Sequence, residues 1–136
     1  MASDRQNISS GTKWEALAGY SRAVRLGDWI AVSGTTASDE NSQVVGIGDP
    51  YAQARYIFAK IERALKAAGG SLTDVIRTRI YVVNTEHWEA VARAHGEIFQ
   101  EIRPANTLIV VKALVDPQML VEIEADAKLR DLSSQP

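Results

Sequence analysis

The sequence predicts an α+β domain, a β-sheet with two helices packed on one of its faces. Two stretches place apolar residues every three to four positions, as one face of a helix requires, and others alternate them every second position, as a half-buried strand requires. They follow one another as β-β-(β)-α-β-α-β-β, and 136 residues suit a single domain. We take residues 15–130 as that domain, residues 1–14 as a flexible polar lead-in and residues 131–136 as a flexible tail.

GYSRAVRLGDWIAVSG reads as two short strands joined at Leu26-Gly27-Asp28, where Gly tolerates positive φ and Asp favours turns. A Gly-, Asn- and Ser-rich loop follows, with room for a short strand at Gln43 to Val45. Asp49-Pro50 then starts a helix, as a capping side chain followed by a residue whose missing N–H costs nothing there. Ala54, Ile57, Phe58, Ile61, Ala64, Leu65 and Ala68 form its apolar stripe, and Gly69-Gly70 end it.

VIRTRIYVV is a strand with Ile76, Thr78, Ile80 and Val82 on one face and Arg77, Arg79, Tyr81 and Val83 on the other. Asn84-Thr85 opens a second helix with Trp88, Val91, Ala92, His95 and Phe99 inward, ending near Glu101. Two more strands, Thr107 to Val115 and Met119 to Leu129, flank the turn Asp116-Pro117-Gln118.

Composition narrows the function. Hydrophobic residues make up 46% and charged ones 24%, the balance of a soluble globular protein. A net charge of −2 with acids and bases interspersed leaves no basic footprint for nucleic acid. Without cysteine there are no disulfides, thiol nucleophiles or thiolate metal sites. No apolar run approaches the ~20 residues of a membrane span, and MASDRQNISSGTKW has no signal-peptide core. A cytoplasmic protein without nucleic-acid or membrane partners is expected. No HExxH, Walker or GxGxxG pattern is present, Ser33-Gly34 is not a nucleophile elbow, and His87 and His95 are not spaced as metal ligands.

Two helices cover one sheet face. The other, with Arg77, Arg79 and Tyr81 beside Glu122 and Glu124, meets water or another subunit. LIVVKALV is apolar on both sides apart from Lys112, as expected of a strand buried twice, which favours a sheet-to-sheet oligomer. Charges at such a seam have to pair, Arg79 with Glu122 or Glu124, and a mixed cleft there is where a small-molecule site is expected.

GYSRAVRLGDWIAVSG, the helix ending KAAGGSLTDVIRTRIYV, then RPANT and MLVEIEADA, in this order and spacing, resemble the reactive intermediate deaminase (RidA, or YjgF) family over Gly19 to Leu129. The resemblance implies a chorismate-mutase-like fold with a mixed sheet. It also implies a homotrimer whose sheets meet around the centre, with small-molecule clefts between subunits. It implies hydrolysis of 2-imino acids, or enamine tautomers such as 2-aminoacrylate, to 2-keto acids and ammonia without metal or cofactor. By position Glu122 matches the catalytic carboxylate that orients water. Tyr20, Ser33 and Gly34 match cleft-lining positions, and Asn106, at the position of the substrate clamp, and Thr107 after it are implied to bind substrate.

Deaminase members carry an arginine directly after Pro-Ala, and here that residue is Asn106. A planar fork of charged donors is thereby replaced by one short neutral amide. Ala92 is a second departure, at a helix position where those members often carry asparagine. The chain thus resembles the branch lacking the arginine. Arg79 is a candidate replacement from the neighbouring strand, whereas Arg103 is expected to pack at the helix exit or bind a carbonyl. His95, on the apolar stripe, reads as a satisfied buried histidine. Two functions follow: an imine or enamine deaminase, or a trimer that binds a small metabolite without turnover in a regulatory or protective role.

Overall fold

The computed structural model describes residues 4–130. Six strands form one sheet in the order β1-β2-β3-β6-β4-β5. They are β1 (Arg5–Ile8), β2 (Ala23–Leu26), β3 (Trp29–Thr36), β4 (Val75–Val82), β5 (Ala105–Val110) and β6 (Val121–Lys128). The sheet is mixed: β4 and β5 pair in parallel, as the helical crossover between them requires, and every other pair is antiparallel.

Two long helices cover one face, α2 (Pro50–Ala67) and α3 (Trp88–Phe99), and a six-residue α1 (Lys13–Ala18) precedes β2. Asp49 caps α2 as its sequence predicts, its side chain accepting the Ala52 N–H at 3.0 Å, with Pro50 in the first turn. Ile57, Phe58, Ile61 and Leu65 of α2 pack with Val91 and Phe99 of α3 against Ile30, Ile80, Val82, Val121 and Ile123 of the sheet. Gln53 is fully buried among them with its amide satisfied: it donates to the Gln118 and Gly46 carbonyls and accepts the Leu120 N–H. That wedge ties α2 to the segment entering β6.

Five expectations change, one of them on α3, where Trp88 and Ala92 are exposed and Ala94 takes the inward position beside Val91. The lead-in contributes β1, which pairs with β2, and the start of α1. Its alternation was hidden because Arg5, Gln6 and Asn7 are all polar, so an edge strand here is recruited by β2 and not by burial. The tail expected at 131–136 lies outside the described residues.

On β4, Val75 is buried and Ile76 is exposed, the reverse of strict alternation. A bulge between Val75 and Arg77 resets the phase, after which Thr78, Ile80 and Val82 face inward. LIVVKALV is not a strand buried twice: β5 ends at Val110 and forms an edge of the sheet, with Ile109 and Val110 about half exposed in the single chain. Residues 111–120 form no strand, and β6 begins at Val121 and not at Met119, because its phase is set by pairing with Val82.

α1 buries only Glu15. Burial pushes the Glu15 carboxyl up, but the Ser10 hydroxyl (2.6 Å) and N–H (3.0 Å), helped by Ser9 and Thr12, outweigh it and bring the carboxyl down to about 2. A folded-state value below the unfolded one gives stability that is present above pH 4.5 and lost as pH falls towards 2. Glu15→Gln should therefore cost on the order of 2–3 kcal/mol near neutral pH. In urea denaturation across pH the deficit should shrink on acidification; a deficit independent of pH would show that packing, not charge, holds this segment.

Candidate functional site

The central strands place the expected residues on two different faces. Tyr81 and Glu122 are register partners, as are Arg79 and Glu124, and Arg77 and Asp126, so all six point away from the helices. Parallel pairing puts Thr107 beside Arg79 on that open face, and Asn106 beside Thr78 on the helix side.

β3 bulges opposite β6. Val32 pairs with Ala125 and Thr35 with Ile123, so Ser33 and Gly34 together span the single residue Glu124. The bulge brings Gly34 against the Glu122 carboxylate so closely that a Cβ on Gly34 would overlap Glu122 Oε2. The absence of a Cβ at Gly34, and not an unusual backbone conformation, is what lets the carboxylate sit there. Ser33 is anchored beside it, its hydroxyl donating to the Ser21 carbonyl at 2.6 Å.

Arg22 sits behind the bulge, only 7% exposed. Its guanidinium donates to the Gly34 carbonyl at 2.9 Å and the Thr35 hydroxyl at 3.3 Å, and its Cζ lies 5.6 Å from the centre of the half-exposed Tyr20 ring. The structure thus gathers Tyr20, Ser33, Gly34 and Glu122 around one backbone irregularity, with Arg22 as an unforeseen fifth member. Burial pushes the Glu122 carboxyl up; the Arg22 charge pulls it back in part, and Glu124 pushes it up further. Among the described residues Glu122 forms no ion pair.

Arg79 is engaged elsewhere. Its Nη1 lies 3.1 Å from Asp126 Oδ2 and 3.5 Å from Glu124 Oε1, and Tyr81 donates to the same Glu124 oxygen at 3.0 Å. Its partners are Asp126 and Glu124, not Glu122. A guanidinium held by two carboxylates is a poor replacement for a substrate clamp.

Asn106 belongs to a second cluster. Its Nδ2 donates to the Thr78 hydroxyl at 2.9 Å, and that oxygen lies 2.8 Å from His95 Nε2. The hydroxyl thus bridges the Asn106 amide and the imidazole. Burial lowers the His95 pKa, and the ring packs against Phe58 and Phe99. The satisfied histidine expected from the sequence is thus linked to the residue at the clamp position. Ala92 is exposed, and Arg103 takes a left-handed φ of 54° and donates through Nε to the Gln100 carbonyl.

Sequence reasoning missed Arg22 and Lys60. Lys60 interrupts the inner flank of the α2 stripe between Ile57 and Ala64, and that interruption was the available signal. Its ammonium donates to the Thr36 and Ser38 carbonyls at 2.7 and 2.9 Å.

Residues 11–129 match the family model described as endoribonuclease L-PSP. A Mycobacterium tuberculosis member of the highly conserved YjgF/YER057c/UK114 family is 45% identical, with a TM-score of 0.84, covering 92% of this chain and 99% of that one. A Yersinia pestis protein of the conserved Rid family is 25% identical with a TM-score of 0.81, covering 92% and 99%. The 3-aminoacrylate deaminase RutC of Acinetobacter baylyi is 38% identical over 111 residues, 82% of this chain and 87% of its own.

The seat of Glu122 generates a prediction. Gly34→Ala should evict the carboxylate, because a side-chain end moves more readily than the paired strand, at a cost in stability of about 1 kcal/mol. The Glu122 titration midpoint, followed by its side-chain carbon resonance, should drop towards the ordinary carboxylate range. An unmoved midpoint would show that the bulge does not set the environment of Glu122.

Proposed function

The chain belongs to the YjgF/Rid family, and we propose that it hydrolyses imines or enamines of small metabolites in a cleft completed by a second subunit. The observation that carries this reading is Glu122: a sheltered carboxylate without an ion-pair partner among the described residues, its proton affinity raised by burial, seated against a glycine. Such a group is suited to taking a proton from water. In the proposed reaction Glu122 accepts the proton as the water oxygen bonds to the imine carbon. Starting from the protonated imine, it then returns that proton to the amine nitrogen, and as the carbon–nitrogen bond breaks the new hydroxyl gives its proton to Glu122, so that ammonia leaves behind a carbonyl. The relationship to a 3-aminoacrylate deaminase supports this reaction class.

Within one chain Asn106 lies on the helix side of edge strand β5, whereas Glu122 lies on the open face of β6, with β4 between them. A cleft containing both has to draw them from different chains. This, together with half-exposed Trp29 and Ile109 on the open face, supports a homotrimer with sheets meeting around its centre. Tyr20, Ser33, Gly34 and Thr107 would line the clefts. We place the protein in the cytoplasm; no helix among the described residues is long and apolar enough to cross a membrane. The family model's description suggests an endoribonuclease, but the net charge of −2 disfavours a phosphate-backbone substrate.

One observation favours a second reading, binding without turnover. The Asn106 amide N–H is already directed at Thr78, so this position offers no charged donor to a substrate carboxylate.

Two variants separate the readings, assayed by keto-acid formation from freshly generated 2-aminoacrylate. Under the enzymatic reading Glu122→Gln lowers the rate by about 100-fold or more, and Asn106→Arg raises it by at least about 10-fold. A wild-type rate equal to buffer and unchanged by either variant, with the fold intact, would leave only the binding reading.

A further inference from the structure

A second recess shares only Arg22 with the cluster around Glu122. This cavity of about 420 Å³ is lined by Tyr56, Lys60 and Arg63 of α2, by Arg22, by Ser10 in the segment between β1 and α1, and by Asp39 in the loop after β3. Three of these side chains are cations. Among the described residues none of the three forms an ion pair with a carboxylate. Arg22 is nine-tenths buried, and its Nε has no hydrogen-bond partner among those residues. Asp39 and Glu40 line the rim, but Asp39 Oδ1 already accepts the N–H groups of Asn41 and Gln43.

Uncompensated positive charge in a concave, partly desolvated place is unfavourable unless an anion meets it. Lys60 reports the same imbalance: burial, with Arg22 and Arg63 adding repulsion, lowers its pKa to about 8, and Asp39 offsets this only in part. Arg63 is exposed and has no hydrogen bond or ion pair among the described residues, which leaves its fork available at the mouth. The cavity is much larger than a lone oxyanion, so it has room for one carried on a small organic body.

We propose that this cavity is a binding site for a small phosphorylated metabolite, its phosphate held between Arg63 and the buried charges of Lys60 and Arg22, with the Tyr56 hydroxyl and the Ser9–Thr12 segment alongside the organic part. Arg22 links the site to the rest of the molecule, because the same guanidinium grips the Gly34 carbonyl.

Inorganic phosphate is the probe, titrated into the full chain at constant ionic strength and followed by the arginine Nε–H and backbone amide resonances. Saturable shifts at Arg22, Ser38 and Ser10, with Gly34 responding through Arg22, are expected. Arg63→Gln, an exposed change that spares the fold, should weaken binding by about 3- to 10-fold. Equal shifts with chloride would reduce the effect to screening and overturn the proposal, as would non-saturable shifts or an affinity that Arg63→Gln leaves unchanged.

Discussion

The two-for-one mismatch between Ser33-Gly34 and Glu124 is the constraint around which the rest of this molecule is arranged. A regular ladder would place a side chain where the Glu122 carboxylate now lies. Opening the register by one residue instead turns the Gly34 carbonyl towards Arg22 and leaves a space without Cβ atoms beside β6. Thr35 can then return inward to the core, fully buried, and support the guanidinium from beneath. A single interruption of pairing thus positions an acid, a cation and an aromatic ring whose positions in the chain are far apart.

The two sides of the sheet solve the problem of charge differently. On the open face Arg79, Tyr81, Glu124 and Asp126 neutralise one another across β4 and β6. Their partial exposure keeps each contact weak, and they hold the Arg79 guanidinium on Glu124 and Asp126 and away from Glu122. Behind the bulge, cations gather without carboxylate partners, and backbone carbonyls carry the load for Lys60 and Arg22. Glu122 lies at the boundary and feels both, with desolvation the larger influence.

Much of this was legible in the sequence wherever a residue's neighbours are also its contacts. The α2 stripe, the Asp49-Pro50 start, the hairpin through Gly27 and the alternation of β6 depend on local spacing, and all appear as read. What was hidden depends on partners distant in the chain. β1 exists because β2 offers an edge, and the exposure of Ile76 follows from a bulge fixed by β6. Arg22 gave no periodic signal, because its environment is a bend in another strand. VEIEADA placed Glu122 on the right face; its glycine seat could not be read from spacing.

The hydrogen bond from Asn106 to Thr78 makes position 106 serve two masters. Any residue there is judged by what it offers a ligand and also by whether it keeps a proton donor on the Thr78 hydroxyl, which is itself hydrogen-bonded to His95 of α3. A change of side chain at position 106 is therefore also a change in the hydrogen bonding of the hydroxyl that holds a half-buried imidazole. The chemistry at this edge and the packing of Phe58 and Phe99 have to evolve together.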